Sequence, residues 1–145
     1  MPAVQAISEQ LLMITIQSEK LLVVARSVRE VLGEKTWIPI PGTRPEMPGV
    51  VGWGRRAVAL LDLARVFSNL SPLQPGTARA RTLLLQVDES SLALPADTVS
   101  SVMDVAVTDI RPRALVEFPL CRSEVYLNGD VLPLFDPTLL LKEGR

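Results

Sequence analysis

The sequence predicts an all-β protein built as two small barrels of about five strands each. Short apolar stretches recur at regular spacing and are separated by polar or glycine-containing turns, a pattern typical of all-β folds. The order of features in the first half of the 145-residue chain also returns in the second half. Few stretches have helical periodicity, so helices are expected only as short turns.

The internal repeat is clearest when residues 56–67 are aligned with residues 130–141. Apolar positions then coincide, and Asp62 falls on Asp136. Upstream, the following positions coincide as well: residues 12–21 with 83–92, Ala25 with Ala96, Val28 with Val99, Val31 with Val102, and Leu32 with Met103. Apolar strand patterns can align by chance, but the shared order of hairpin, turn, strand and Asp-capped turn favours two related half-domains.

The predicted elements of the first half begin with a hairpin, in which residues 11–16 and 21–25 flank a polar turn. Residues 26–32 place Val28, Val31 and Leu32 on one helical face, although the end of this stretch can also be a strand. The prolines make residues 37–41 extended and residues 42–48 a rigid loop. A central hairpin follows, with a turn at residues 52–55, and Asp62 is expected to cap a helical turn.

In the second half, residues 68–80 are a connector, and residues 82–87 and 91–94 repeat the opening hairpin. A short turn is expected from Pro95, and a loop over residues 109–113. Residues 124–127 and 131–135 form a hairpin over Asn128-Gly129, the strongest two-residue turn signal in the chain. Pro137 suits the first helical position after Asp136.

Composition excludes several classes of function. The net charge of −1 is spread over both signs, and no basic run with stacking aromatic residues is present, so nucleic-acid binding is disfavoured. There is no histidine, and Cys121 is the only cysteine, so no catalytic residues, cofactor or metal site are predicted, and Cys121 is expected to pack in the core. No signal peptide or membrane-spanning run is apparent, so a cytoplasmic location without membrane insertion is expected.

Two constellations leave alternatives open. Asp62 and Asp136 could form a carboxylate pair like that of an aspartic protease, but no glycine follows either one, and helix capping explains both more simply. Trp53 lies beside Arg55 and Arg56. This group is either a solvated turn with its ring tucked into the core, or a contact for a partner in which the ring and an arginine can stack.

These features together resemble the CheW-like domain, the adaptor of bacterial chemosensory arrays. The resemblance runs from Leu11 to Leu141, and its carriers are the order and spacing of residues 28–31, 40–41, 49–50, 57–63, 93–99 and 131–136. It implies a fold of two intertwined five-stranded SH3-like β-barrels with short helical turns. The implied single domain covers residues 10–145 and consists of two similar half-barrels, at about 10–67 and 81–142.

The resemblance further implies a non-enzymatic adaptor, without cofactors, at receptor arrays. Its partners would be the hairpin tips of methyl-accepting chemotaxis receptors and the regulatory domain of a CheA-type histidine kinase. An apolar groove would accept a receptor helix, while flanking charges set its register. The receptor-binding residues expected by position in the family and by proximity to the turn are Val28, Glu30, Gly49, Val51, Trp53, Arg55 and Arg56.

The central turn departs from the family pattern, which usually reads Asn-Leu-Arg-Gly where this chain has Gly52-Trp53-Gly54-Arg55. Gly54 occupies the position of the family's arginine, so Arg55 or Arg56 must supply the guanidinium. One hypothesis is therefore a divergent adaptor that keeps one partner and has weakened its interaction with the other. A β-barrel module that binds an unrelated peptide remains an alternative, as does a hydrolase built on the two aspartates.

Overall fold

The structure, a computed structural model, describes residues 7–65, 70–112, 121 and 123–137. Within these residues, short 3₁₀ turns at Ala25–Ser27, Leu63–Arg65 and Val107–Asp109 lie between strands and loops. The strands are β1 (Ser8–Ile16), β2 (Glu19–Val24), β3 (Val28–Leu32), β4 (Ile38–Pro39), β5 (Gly49–Trp53), β6 (Arg56–Leu60), β7 (Arg81–Val87), β8 (Ser90–Ala96), β9 (Thr98–Val99), β10 (Met103–Ala106), β11 (Ile110–Pro112), β12 (Ser123–Leu127) and β13 (Asp130–Phe135).

The strands form two sheets that exchange hairpins. Sheet I has the order β10-β1-β2-β13-β12-β11, with β9 also paired to β1, and sheet II has the order β3-β7-β8-β6-β5-β4. The first hairpin of the chain thus lies among the last strands, and the β7–β8 hairpin lies among β3 to β6. The all-β prediction is confirmed. Within the described residues the sheets have seven and six strands where five each were expected, partly because β4 and β11 add short edge strands.

Both sheets are built on the same plan. In each one, a parallel pair joins two hairpins, and all other pairs are antiparallel. Four paired positions show the equivalence: Leu60 opposite Ala93 and Leu134 opposite Leu22 between parallel strands, and Val28 opposite Leu85 and Val99 opposite Ile14 between antiparallel ones. These pairs coincide under the two aligned blocks given above, of which one places Val28 on Val99 and Leu22 on Ala93, and the other places Leu60 on Leu134. The division into half-barrels at about 10–67 and 81–142 stays a prediction.

Two local expectations need correction. The helical interpretation of residues 26–32 is wrong for residues 28–32, which form strand β3, the alternative left open for the end of this stretch. β3 pairs with the buried leucines of β7, and its valines suit a pleated surface better than a helix. The loop expected at residues 109–113 contains strand β11, which pairs with β12. The 3₁₀ turn after Asp62 is present as predicted, whereas the helical turn predicted after Asp136 is described only at Pro137.

The buried side chains of the described residues form three core clusters. The largest cluster draws on both sheets, since it contains Ile14 and Phe135 of sheet I and Leu83 of sheet II. Cys121 is 3% exposed and packs in this cluster, as predicted. Burial of this apolar surface is the main favourable term for folding. Among the described residues, no helix is long and apolar enough to cross a membrane.

Candidate functional site

Strand β5 carries three of the predicted site residues on one face. Side chains alternate along a strand, so Gly49, Val51 and Trp53 point to the same side of sheet II. Gly49 is buried and Val51 is 2% exposed, within the second core cluster. Trp53 is half-buried and packs against that cluster with part of its ring exposed. On this face of β5, therefore, Trp53 is the side chain that reaches the surface.

Trp53 connects β5 to the opposite edge of sheet II. Its indole Nε1 donates a hydrogen bond to Oε2 of Glu30 on β3 at 3.2 Å. The guanidinium carbon of Arg29 lies 4.8 Å from the ring centroid, in a cation–π arrangement. The register of β3 against β7 shifts between Val28 and Glu30, so Arg29 is an extra residue in the ladder, and such a bulge re-aims the neighbouring side chains. We call Arg29, Glu30 and Trp53 the clasp.

The turn that follows Trp53 is shorter than predicted. Trp53 pairs directly with Arg56, so the loop consists of Gly54 and Arg55 alone, and Gly52 belongs to β5. Gly54 has a φ of +59°, which a residue with a side chain rarely adopts, so a glycine is favoured at this first position of the loop. Arg55 and Arg56 are exposed. Neither side chain makes a hydrogen bond or ion pair with another described residue.

Some of the predicted site residues thus lie together at the surface, whereas others are buried in the core. Glu30, Trp53 and the turn arginines lie at one end of sheet II, whereas Val28 is half-buried and packs against the largest core cluster. Sequence reasoning missed Arg29, which is the cation that stacks on Trp53 instead of a turn arginine. No local pattern points to this stack, because it depends on the bulge in β3.

Comparisons with known proteins bear on the family and the fold. The family model described as "CheW-like domain" matches residues 10–145. The chain belongs to the CheW-like family. Among solved structures, this CheW-like chain is similar to the crystal structure of the scaffolding protein TtCheW from Thermoanaerobacter tengcongensis, with a TM-score of 0.76 and 14% identity over 90% of both chains. At that identity the likeness shows the fold. A comparison with curated proteins gave no match.

A second aromatic–arginine pair lies on sheet I of the CheW-like chain. Arg111 on β11 lies 4.5 Å from the ring centroid of Tyr126 on β12, and Val131 pairs with Tyr126 from β13. Tyr126 is 39% exposed and Val131 is 48% exposed. This pair lies on the other sheet from the clasp and provides a control for experiments on Trp53.

Asp62 has a structural role in the CheW-like chain that accounts for both of its carboxylate oxygens. Oδ1 accepts the backbone N–H of Ala64 at 3.1 Å, which caps the 3₁₀ turn. Oδ2 accepts the backbone N–H of Leu73 at 2.9 Å, so the same side chain also holds the connector. Asp62 is 2% exposed. The capping interpretation of Asp62 is therefore confirmed.

Proposed function

We propose that this chain is a non-enzymatic adaptor of a bacterial chemosensory array. It works in the cytoplasm, where it binds the hairpin tips of methyl-accepting receptors and the regulatory domain of a CheA-type histidine kinase. The observation that carries the proposal is the match of the CheW-like family to residues 10–145. The similar TtCheW is described as a scaffolding protein, and a scaffold for two partners is the role proposed for this chain.

The receptor-binding surface that we propose is the end of sheet II formed by β3 and the β5–β6 hairpin. A receptor tip is a helical hairpin, and a protein surface recognises a helix through an apolar anchor with charges around it. Trp53 supplies an exposed ring edge, and Arg29, Arg55 and Arg56 supply the charges. Tryptophan and arginine are the residue types that most often dominate interface energetics. Val51 and Gly49 support this surface from within the core.

The kinase contact is proposed from family membership alone, and we expect one of the two interactions, with the receptor or with the kinase, to be weakened. The turn that contributes to coupling in the family has a different composition in this chain, with Gly54 where an arginine is usual. A shifted guanidinium changes the geometry of a contact even when the total charge is kept. One partner can therefore retain ordinary affinity while the other loses it.

A binding experiment with purified proteins tests the proposal. The full chain is titrated separately with the cytoplasmic fragment of a receptor and with the kinase regulatory domain from the same organism, and affinities are measured by calorimetry. We expect the receptor fragment to bind, and Trp53→Ala to weaken this binding about tenfold or more, as is usual for a tryptophan hot spot. Tyr126→Ala is the matched control, because it removes an exposed ring with its own stacked arginine from sheet I.

Three results would count against the proposal. If neither protein binds, the adaptor function is wrong, and the peptide-binding alternative takes its place. If Tyr126→Ala abolishes receptor binding while Trp53→Ala leaves it unchanged, the receptor binds to sheet I and the site proposed on sheet II is wrong. Equal, ordinary affinity for both partners would overturn the idea that one interaction has weakened. Circular dichroism of both variants must match that of the parent for these comparisons to apply.

A further inference from the structure

The connector between the halves is itself a peptide segment bound in a site of this fold. Three polar side chains hold it through direct contacts: Gln17 to Ser71, Asp62 to Leu73, and Asp97 to Arg79. Leu70 is its apolar anchor, since this side chain is 6% exposed and belongs to the largest core cluster. The connector therefore shows which contacts bind a peptide segment at this place.

A cavity of about 570 Å³ is related to the connector site by the internal repeat. The aligned blocks given above pair each of the three holding side chains with a residue that lines this cavity: Gln17 with Asp88, Asp62 with Asp136, and Asp97 with Arg26. The backbone has the same form in both places, since Gln17 and Asp88 have φ values of +55° and +53°. The cavity is therefore the second copy of the site in which the connector is bound.

The apolar lining of the cavity repeats the apolar surroundings of Leu70. Leu70 shares its core cluster with Ile16 and Leu61, whose counterparts in the repeat are Val87 and Phe135. Both counterparts line the cavity. Ligand sites in proteins usually have volumes of about 300–1,000 Å³, so the cavity has room for an aliphatic side chain and part of its backbone.

The charges of the cavity favour a positively charged ligand. Its described lining contains three carboxylates, of Glu9, Asp88 and Asp136, and one guanidinium, of Arg26. Arg26 pairs with Glu9. Asp88 is exposed, and its carboxylate makes no hydrogen bond or ion pair with another described residue. Where the connector site has the neutral amide of Gln17, the cavity thus has a negative charge that attracts a cation.

We propose that this cavity docks a peptide segment of a partner protein in which an aliphatic residue is followed directly by lysine or arginine. The aliphatic side chain takes the place that Leu70 has in the connector site, and the cation takes the place of Ser71, opposite Asp88. None of the described residues that line the cavity belongs to the clasp or to the β5–β6 turn. The inference therefore adds a separate docking site and does not depend on the proposed adaptor function.

A peptide copied from the connector is the probe for this site. It has the sequence of residues 70–78 with Ser71→Lys, carries a fluorophore, and is titrated with the full chain by fluorescence anisotropy. The matched control is the same peptide with Ser71→Glu. We expect the lysine peptide to bind about tenfold more tightly than the glutamate peptide at low salt, because the change of sign turns an attraction to Asp88 into a repulsion. The difference should shrink at high salt.

Variants of the protein locate the bound peptide. Asp88→Asn should weaken binding of the lysine peptide by about fivefold, the upper range for one surface ion pair, and asparagine tolerates the positive φ at this position. Asp130→Asn is its control, since Asp130 is an exposed hairpin residue outside the cavity. Val107→Lys adds bulk and a like charge to the lining and should also weaken binding. Its control is Val131→Lys, at a similarly exposed valine outside the cavity.

The outcomes separate this inference from the proposed function. If the lysine peptide does not bind the full chain, or binds no better than the glutamate peptide, the docking site is wrong. Equal binding to the parent, Asp88→Asn and Val107→Lys would place the peptide outside the cavity and overturn the inference as well. If binding requires deletion of residues 138–145, the chain's own residues compete for the cavity and a partner segment is not its occupant. Failure of the receptor fragment to bind would count against the adaptor function alone.

Discussion

Gly49 shows how a single residue positions the surface proposed to bind the receptor. It is the first residue of β5 and lies opposite the paired strand β4. A Cβ at this position would lie 2.1 Å from the backbone oxygen of Ile38 and 2.7 Å from Cε3 of Trp37. Real side chains do not approach that closely, so only glycine allows β4 to pair with β5 in this register. The residue thus fixes the start of the strand that ends at Trp53.

Gly49→Ala should therefore destabilise the fold, because the backbone of Ile38 cannot yield as a flexible side chain would. We expect the free energy of unfolding to fall by about 1–3 kcal/mol, the usual cost of overpacking, measured by urea denaturation followed by circular dichroism. Gly52→Ala is the control, since it lies in the same strand and a Cβ there would meet nothing within 4 Å. Equal stability of the two variants would contradict this assignment.

At the residue scale, the sequence predicts which residues belong to the proposed site, but it does not predict which of them contact each other. Trp53, Glu30 and the turn arginines can be singled out from residue type and position alone. The bond between Trp53 and Glu30 cannot, because it joins residues 23 positions apart and involves the bulge in β3. The resemblance to the family likewise does not reveal that Val51 is buried, with 2% of its surface exposed, which follows from the alternation of side chains along β5.

At the scale of elements, the connector between the halves is held at several points. The Gln17 side-chain amide donates to the backbone oxygen of Ser71 at 3.1 Å and accepts the Ser71 N–H at 3.0 Å. Arg79 pairs with Asp97 at 3.4 Å, and Asp97 also accepts the backbone N–H of Gln17 at 2.5 Å. The connector is therefore fastened to the β1–β2 turn as well as to Asp62.

Gln17→Ala should loosen the connector without unfolding the protein. Loss of the two bonds to Ser71 should speed amide hydrogen exchange there by about tenfold, in line with the net worth of one hydrogen bond. Gln74→Ala is the matched control, because Gln74 lies in the connector and its side chain makes no hydrogen bond with another described residue. Unchanged exchange at Ser71 in the Gln17 variant would show that the amide contact does not hold the connector.

Elements with strong turn chemistry are predicted well from the sequence, and short ambiguous ones are not. The hairpin over Asn128 and Gly129 has both residues at positive φ, as the turn pattern requires. Residues 28–32 mislead because three apolar residues in a five-residue stretch fit a helix as well as a strand. Their pairing with the buried leucines of β7 decides the matter, and that partner lies more than 50 residues away.

At the scale of the molecule, the exchange of hairpins makes the two halves depend on each other. Sheet I needs β1 and β2 from the first half, and sheet II needs β7 and β8 from the second. The sequence repeat predicts that two similar units exist, and the aligned pairs follow it closely. The repeat does not predict whether each of the hairpins β1–β2 and β7–β8 joins the sheet of its own half or that of the other half, because both arrangements would bury the same apolar faces.

Separate fragments test this dependence. A fragment of residues 1–69 and a fragment of residues 70–145 should each lack cooperative unfolding when alone, since each half leaves strands without their partners. A mixture of the two fragments should regain the β-strand signal in circular dichroism and a cooperative thermal transition. If either fragment shows a cooperative transition by itself, the sheets do not require the exchange of hairpins.

We propose that this CheW-like chain binds a receptor tip through β3 and the β5–β6 turn. The most direct test is a titration of the ¹⁵N-labelled full chain with the receptor cytoplasmic fragment, followed by amide chemical shifts. We expect the largest shift changes at the amides of Arg29, Glu30, Arg55 and Arg56 and at the indole N–H of Trp53, while the amide shifts of β11 and β12 hardly change. Changes confined to sheet I, or none at saturating receptor, would contradict it.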